Sequence, residues 1–216
     1  MNSYSLEGID LTLLKYLNYK NGFFIEAGDN DGLSQSNTAL YEFDMNWTGL
    51  LVEPNKIKYE QCAANRPNSF VENYALVSDN YNKEVIRGNF HEQGYAESLT
   101  SFICDEGDYE DENLSAHKQR LLSTNNYVEV PCTTIDKLLK KYKVKTIDLF
   151  SLDVEGYEIS VLNGMNFFKY RPKYFLIETT TYPDRKKAII DCMEEKEYKI
   201  VEQITNNDVL FIDNNL

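Results

Sequence analysis

One stretch near the N-terminus of the 216-residue chain restricts the fold more than any other. An apolar run at residues 23–27 leads into a turn that contains Gly28 and Gly32, and a polar segment at 34–38 then opens a predicted helix. Glycines permit tight turns and let main-chain N–H groups approach a ligand, and a helix N-terminus favours a negative group. The pattern is typical of the strand–loop–helix unit that binds a nucleotide in a doubly wound α/β sheet.

Apolar runs alternate with amphipathic segments along the rest of the chain. Such units close into a parallel sheet through right-handed crossovers. Four polar residues between the last two apolar runs predict a C-terminal antiparallel hairpin. The predicted strands are 23–27, 48–53, 69–77, 146–153, 174–178, 198–203 and 209–212, and the predicted helices are 5–20, 36–45, 56–65, 134–142, 157–168 and 185–196.

A less regular insertion over residues 79–126 interrupts this alternation. It holds a predicted short strand at 83–87, the two histidines His91 and His117, and an acidic run at 105–112 that does not match a calcium-binding loop. A long insertion at this point is a candidate lid or acceptor-binding segment. No repeat or low-complexity linker divides the chain, so we predict a single domain over residues 1–216.

Charge and cysteine content exclude several classes of partner. The chain has 22 basic and 35 acidic residues and a net charge of -13, which repels nucleic acid and anionic membrane surfaces. The four cysteines are far apart and form no C-x-x-C pair, which favours reduced thiols in the cytoplasm over a disulfide or zinc framework. The first residues resemble neither a secretion signal nor a membrane span.

Four predicted strands end in an acid, namely Glu26, Glu53, Asp153 and Glu178. In a doubly wound sheet the ligand lies outside the carboxyl ends of the strands. Apolar runs that converge on four acids would crowd negative charge together unless a cation or a hydroxyl donor lies between them. The sequence therefore predicts a ligand at this edge, although each acid alone could equally cap a helix or form a salt bridge.

The first loop separates two classes of adenosine cofactor. Glu53, at the end of the second strand, can accept hydrogen bonds from both hydroxyls of a ribose. The loop lacks the G-x-G-x-x-G fingerprint of a pyrophosphate site and instead carries Glu26, Asp29 and Asp31. These carboxylates suit a cofactor with an ammonium and a sulfonium group, so S-adenosylmethionine fits better than NAD.

The ordered set of motifs resembles the FkbM family of methyltransferases. The similarity extends over residues 22–179, and each motif taken singly is unspecific. The matching motifs are Ile25-Glu26-Ala27-Gly28-Asp29-Asn30-Asp31-Gly32 with Ser36-Asn37-Thr38, Gly49-Leu50-Leu51-Val52-Glu53-Pro54, Asn73-x-Ala75, Thr134-Ile135-Asp136, Ser151-Leu152-Asp153-Val154-Glu155-Gly156-Tyr157-Glu158 and Ile177-Glu178.

The resemblance implies a class I, Rossmann-like methyltransferase fold with seven strands, the last of them antiparallel. It also implies S-adenosylmethionine as donor and O-methylation of a small molecule or glycan. Carried over by position, Gly28, Asn30 and Asp31 are expected to line the methionine end, Ser36 and Asn37 to meet its carboxylate, Glu53 to bind the ribose and Asn73 to lie near the adenine. Glu26 and Gly32 complete the predicted donor-binding set.

A sugar hydroxyl is too weak an acid to ionise unaided at neutral pH, so methyl transfer requires help in removing its proton. One device is Mg²⁺ or Mn²⁺ held by Asp153 and Glu178, with Glu155 as a third candidate ligand. The other is a general base, for which His117 or His91 would serve. We favour the metal.

Several alternatives remain open at this stage. The acceptor is expected to be a sugar or glycan hydroxyl, and a non-sugar alcohol such as a polyketide is the second choice. An NAD-linked oxidoreductase and a non-catalytic domain that keeps the nucleotide pocket are less favoured. The sequence does not indicate an oligomeric state.

Overall fold

The computed structural model describes residues 2–90, 103, 119, 122–125, 127–179 and 183–216. A seven-stranded sheet forms its centre, with the strand order β3-β2-β1-β7-β8-β10-β9. β10 is antiparallel to both neighbours and the other paired strands are parallel, which confirms the predicted fold. The strands are β1 Phe23–Ala27, β2 Thr48–Val52, β3 Phe70–Glu72, β4 Ala75–Leu76, β5 Val85–Gly88, β6 Val128–Thr133, β7 Leu149–Leu152, β8 Tyr174–Glu178, β9 Tyr198–Gln203 and β10 Asp208–Asp213.

Helices cover both faces of this sheet. Successive strand residues point to opposite faces, so Ile25 joins one apolar cluster and Phe24 the other. α1 to α3 pack on the Phe24 face and α4 to α6 on the Ile25 face. None of the described helices is both long enough and apolar enough to cross a membrane. The helices are α1 Ile9–Leu17, α2 Ala39–Met45, α3 Lys56–Asn65, α4 Ile135–Lys141, α5 Glu158–Asn163 and α6 Pro183–Glu195, and a 3₁₀ turn at Leu6–Gly8 precedes α1.

The predicted third strand, 69–77, is wrong as a single element. It divides into β3, which pairs with β2, and β4, which pairs with β6 in a separate three-stranded sheet of order β4-β6-β5. Between the two pieces, the Asn73 side chain donates to the carbonyl oxygens of Glu53 and Pro54 at 2.8 and 2.9 Å. These bonds fix a bend that carries the chain from one sheet to the other.

Three helices are shorter than predicted by three or more residues. α1 runs from Ile9 to Leu17 inside the predicted 5–20, and the 3₁₀ turn precedes it. The segment 36–38 lies outside α2, because its polar groups bond to Glu26. α5 occupies only the first half of the predicted 157–168. The acidic run at 105–112 lies outside the described residues. In the described part of the insertion, β5 confirms the predicted short strand with a shift of two residues at its start and one at its end.

The C-terminal hairpin is confirmed. β9 and β10 pair antiparallel, and β10 is inserted between β8 and β9. Asp208, the first residue of β10, lies opposite Glu178, the last residue of β8. The turn before β10 is therefore at the same edge of the sheet as the carboxyl ends of the parallel strands.

Candidate active site

A cavity of about 600 Å³ opens at the carboxyl edge of the main sheet. Its floor is formed where β1, β2, β7 and β8 end, and β4 of the small sheet contributes a side wall. Leu6 and Glu7 of the N-terminal 3₁₀ turn and residues 205–208 of the C-terminal turn complete the lining. Ends of the chain that are far apart in sequence therefore meet at one site.

Glu26 anchors the loop that follows β1, which we call the donor loop (residues 28–38). The carboxylate is buried and accepts from Ser36 Oγ at 2.8 Å, Asn37 N at 2.7 Å and Thr38 Oγ1 at 2.5 Å. Arg66 Nη1 lies 3.7 Å from the same carboxylate. With both oxygens engaged inside the protein, Glu26 shapes the loop and does not line the cavity.

Gly28 joins the donor loop to the loop after β7. Its φ is +83°, and a Cβ at this position would lie 1.7 Å from the carbonyl oxygen of Asp153. Its N–H donates to the carbonyl oxygen of Val52 at 3.1 Å. Any side chain here would separate two loops that both line the cavity, so the glycine is required by packing whether or not a ligand is bound.

Glu53 lies at the cavity wall beside the donor loop. Its Oε2 accepts from Asn30 N at 3.1 Å and its Oε1 from Asn55 N at 2.7 Å. Burial raises the pKa of Glu53 from its ordinary 4.5 to about 7, and these two backbone bonds oppose the rise. Each oxygen keeps a lone pair for a further donor, as the binding of a ribose diol requires.

Asp29 is a second buried acid at this end of the cavity. Its Oδ2 accepts from Cys62 Sγ at 2.6 Å, whereas its Oδ1 has no partner. Burial and the charge of Glu53 raise the pKa of Asp29 well above its ordinary value. Asp29 thus offers an unpaired polar atom within the lining of the cavity.

Acids also gather at the opposite end, after β7 and β8. One oxygen each from Asp153, Glu158 and Glu178 lies within 4.8 Å of the others. Glu158 is already engaged, since its Oε1 accepts from the N–H groups of Val154 and Gly156, and its Oε2 pairs with the Arg185 guanidinium. Glu158 therefore holds the loop 153–157, which we call the acceptor loop.

Asp153 and Glu178, by contrast, keep unpaired oxygens. Asp153 Oδ1 and Glu178 Oε2 are both buried without a hydrogen-bond partner. Burial raises the pKa of both groups, and for Asp153 the charges of Glu178 and Glu155 add to the rise. Two adjacent carboxyl groups in this state bind a proton or a cation more readily than isolated ones.

Unpaired acceptors are concentrated in this one cavity. Seven buried side-chain oxygens in the described part of the chain have no partner, and six of them belong to residues that line it. The lining also contains seven carboxylate residues and one lysine, Lys58. The cavity therefore suits a ligand that supplies N–H or O–H donors or positive charge. The six residues are Asp29, Asn30, Asn37, Asp153, Glu178 and Asn207.

A family model described as "Methyltransferase FkbM domain" matches residues 26–200. The chain belongs to this family. Membership places it among the S-adenosylmethionine-dependent methyltransferases and sets aside the NAD-linked alternative. The matched range contains the donor loop, Glu53 and the acceptor loop, but it ends before the turn at residues 205–208. No curated protein has a significant sequence match to the chain.

Solved methyltransferase structures resemble this FkbM-family chain only distantly. A methyltransferase from Pyrococcus furiosus is 12% identical over 94% of this chain and 80% of its own, with a TM-score of 0.46. A TehB-like SAM-dependent methyltransferase from Corynebacterium glutamicum is 8% identical over 95% and 87%, with a TM-score of 0.45. One from Geobacter sulfurreducens, in complex with S-adenosyl-L-homocysteine, is 10% identical over 94% and 68%, with a TM-score of 0.39.

The site residues predicted from the sequence fall into three groups. His91 and His117 lie outside the described residues, so the general-base alternative stays a prediction. Those that line the cavity are Gly28, Asn30, Asn37, Glu53, Asp153, Glu155 and Glu178. Those that do not are Glu26, Asp31, Gly32, Ser36 and Asn73, whose roles in donor binding also stay predictions.

Several of the non-lining residues have internal partners. Asp31 accepts from the N–H groups of Leu33 and Ser34, and Ser36 Oγ donates to Glu26 and accepts from Arg66. Gly32 packs against Cys62 and Arg66, where a Cβ would come within 2.7 Å of the Cys62 sulfur. The motif after β1 thus contains residues that hold the donor loop in place, such as Asp31 and Ser36, and residues that line the cavity, such as Asn30 and Asn37.

Two parts of the cavity lining are not predicted from the sequence, the turn at 205–208 and the 3₁₀ turn at the N-terminus. The sequence predicts residues 205–208 as a hairpin turn but not as part of the site. The antiparallel direction of β10 is the signal that could have placed this turn at the carboxyl edge. No motif marks Leu6 or Glu7. They reach the cavity because buried Asp10 accepts from Ser3 Oγ, Tyr4 N and Ser5 Oγ and so folds the preceding segment back.

Proposed function

We propose that the chain transfers the methyl group of S-adenosylmethionine to a hydroxyl of a sugar or glycan. The observation that carries this proposal is the set of six unpaired oxygens around one cavity. A buried acceptor without a partner costs about 1–3 kcal/mol, so a ligand rich in N–H and O–H donors recovers that cost when it binds. The ribose and ammonium of the donor and the hydroxyls of a sugar are such groups.

The donor fits the end of the cavity formed by the donor loop. Glu53 is available for the ribose hydroxyls. The unpaired oxygens of Asp29 and Asn30 lie on the donor loop, and the Asn30 N–H holds this loop to Glu53. Asn37 Nδ2 donates to Ser151 Oγ at 3.0 Å, which leaves its Oδ1 unpaired in the cavity lining. An ammonium and a sulfonium are favoured among these oxygens.

The acceptor fits the end formed by Asp153, Glu178 and the C-terminal turn. The carbonyl oxygen of Asn207 accepts from Thr179 N and Thr179 Oγ1, both at 2.7 Å. These bonds fix the turn to the end of β8, and Asn207 keeps an unpaired Oδ1 in the cavity lining. The carboxylates in this wall favour a neutral or cationic sugar over a phosphorylated or carboxylated one.

A divalent cation fits the same end. Asp153 and Glu178 would hold Mg²⁺ or Mn²⁺, because their unpaired oxygens are the hard ligands that these ions prefer. A bound cation lowers the pKa of a coordinated hydroxyl. Glu158 is less available as a ligand, since it pairs with Arg185.

The residues of the chain supply position and charge for an in-line displacement. The donor and acceptor loops meet at Gly28, where the two backbones touch, so the two substrates are held on either side of that contact. Deprotonation of the acceptor hydroxyl takes place beside Asp153 and Glu178.

A non-sugar alcohol is the second candidate acceptor. Phe90, Ile103 and Leu6 line part of the cavity, and they give it an apolar surface that a sugar would not need. A polyketide-type alcohol would use this surface and present a single hydroxyl to the acids.

The test is incubation with methyl-labelled S-adenosylmethionine and matched acceptors. The panel contains glucose, glucosamine, glucose 6-phosphate, glucuronate and a macrolide alcohol, each with EDTA, Mg²⁺ or Mn²⁺. We expect label in the neutral and amino sugars, loss of turnover in EDTA and recovery with either ion. Full turnover in EDTA would show that the reaction needs no metal. Label found only in the macrolide would favour the non-sugar alcohol. If the chain binds the donor but labels no member of the panel, the sugar acceptor is rejected.

A further inference from the structure

Arg66 is a fully buried basic residue that contacts the donor loop. It follows the last residue of α3, its side chain has no exposed area, and its guanidinium lies 5.1 Å from the ring of Phe24. Burial of a charge is costly unless every donor is paired. The partners of Arg66 therefore show what the residue is built to hold.

Those partners are concentrated on the donor loop. Arg66 Nη1 donates to the Gly32 carbonyl oxygen at 2.9 Å and to Ser36 Oγ at 3.1 Å, and Nη2 donates to Thr38 Oγ1 at 3.0 Å. The remaining group, Nε, donates to the buried Glu42 of α2 at 2.8 Å. A single planar guanidinium thus joins the middle of the loop, its end and the helix that follows.

The same part of α3 contacts the loop at two more points. Cys62 lies one turn before Arg66 and donates its thiol hydrogen to Asp29. Asn65 Nδ2 donates to the carbonyl oxygen of Asp31 at 2.9 Å. Gly32 fits between these side chains, since a Cβ there would lie 2.7 Å from Cys62 Sγ and 2.9 Å from Arg66 Cγ.

The residues that face the cavity have fewer supports of their own. Asn30 is held through its N–H to Glu53, and the loop backbone at Asn37 is held through its N–H to Glu26. Glu26 itself depends on Ser36 and Thr38, which Arg66 fixes. Arg66 therefore reaches the ligand-facing residues through partners, without touching the cavity.

We propose that Arg66 is a positioning residue for the donor. It holds residues 32–38 in the conformation that presents Asn30 and Asn37 to S-adenosylmethionine, and it takes no part in the acceptor half of the site. This inference rests on the proposed donor. Arg66 lies outside the matching motifs, and in this role it controls the affinity for S-adenosylmethionine and not the rate of methyl transfer.

The decisive variant is Arg66→Lys, compared with Arg171→Lys. Lysine keeps the charge but cannot reproduce the planar set of four donated bonds. Arg171 is the control, because its guanidinium donates through Nε and Nη2 to Asp213 and the residue does not line the cavity. Both variants are purified as the full chain and checked for folding by circular dichroism.

Donor affinity is measured by calorimetry with S-adenosylmethionine and S-adenosylhomocysteine, and KM for each substrate and kcat by labelled transfer. We expect Arg66→Lys to raise the donor Kd and donor KM about tenfold or more, and to leave kcat at saturating donor within about threefold. Arg171→Lys is expected to leave the donor Kd unchanged. Hydrogen exchange of residues 29–38 is expected to speed up in Arg66→Lys only.

Equal donor affinity in Arg66→Lys and the wild type would overturn the inference, as would a fall in kcat with an unchanged donor KM. If Arg66→Lys does not fold, Thr38→Val decides the question, because it removes the bond from Arg66, together with the bond to Glu26 that Arg66 supports, at a residue that does not line the cavity. Unchanged donor affinity in Thr38→Val would then count against the proposal. A wild-type chain that binds neither donor nor product would instead refute the proposed function.

Discussion

The donor loop and the acceptor loop are built alike, but they differ in whether their carboxylate oxygens already have hydrogen-bond partners inside the protein. Each follows a parallel strand, and each is fixed by a buried arginine–glutamate pair, Arg66 with Glu42 in one case and Arg185 with Glu158 in the other. Glu26 has both oxygens engaged inside the protein, whereas Asp153 keeps one free.

The difference shows that an acid at a strand end has no fixed role. In the donor loop, both oxygens of Glu26 have partners inside the protein. At the acceptor loop, Glu158 binds the loop backbone and Arg185, whereas Asp153 and Glu178 keep unpaired oxygens in the cavity lining. Counting the donors that already reach each carboxylate separates the two roles better than its position in a motif does.

The largest effect is expected from Asp153→Ala. Removal of this carboxylate from the acceptor loop should lower kcat by about a hundredfold to ten-thousandfold, the range for loss of assisted proton removal. The donor Kd should change by less than about threefold, because Asp153 lies in the acceptor half. Labelled transfer and calorimetry measure the two quantities. Retained turnover would show that the two loops do not divide the work in this way.

Next in size is Glu26→Gln, which tests whether this acid is structural. The change leaves Arg66 with one buried counter-charge fewer, so the free energy of unfolding should fall by about 3 kcal/mol in urea denaturation. Glu202→Gln is the control, since Glu202 pairs with Lys15 at the surface and its loss should destabilise the protein much less. A wild-type stability for Glu26→Gln would contradict the structural role.

Glu53→Gln should weaken donor binding and also alter the dependence of stability on pH. The folded-state pKa of Glu53 is about 7 and its ordinary value is 4.5, so the folded protein binds the proton more tightly. The contribution of Glu53 to the free energy of unfolding therefore falls as pH rises from 4.5 to about 7. The difference in stability between wild type and Glu53→Gln should shrink or reverse over that window. A constant difference would place the titration elsewhere.

The smallest effect is expected from Asn207→Ala in the C-terminal turn. Loss of one hydrogen bond to a sugar hydroxyl should raise the acceptor KM about tenfold at most and leave the donor Kd unchanged. Asn207→Asp keeps an acceptor oxygen and should bind neutral sugars nearly as well as the wild type. A change in donor affinity would mean that the turn belongs to the other half of the site.

Much of the fold follows from periodicity in the sequence. The nearly continuous apolar run at 146–153 predicts a strand buried on both faces, and β7 confirms it. Four polar residues between two apolar runs predict the C-terminal hairpin, which β9 and β10 confirm. The third strand was wrong because nothing in the pattern of residues 69–77 shows that Asn73 bends the chain by donating to two carbonyl groups. Side-chain-to-backbone bonds of this kind depend on a strand that is distant in sequence.

The candidate site was predictable in its location and only partly in its members. Strand-end acids indicated the right edge of the sheet. Whether an acid keeps an oxygen without a hydrogen-bond partner depends on Arg66 and Arg185, and neither residue belongs to a motif. It also depends on the bonds that residues 36–38 donate to Glu26, and the sequence predicts a helix for that segment. The turn at 205–208 was recognised, but its place beside Glu178 requires the strand order.

That strand order has a consequence for synthesis on the ribosome. β10 follows β9 in sequence but is inserted between β8 and β9, so a nascent chain that has emerged only as far as β9 has an open slot in its sheet. Unpaired strand edges of this kind attract other chains. The protein can neither close its sheet nor complete the Glu178 side of the cavity until residues 208–213 leave the exit tunnel.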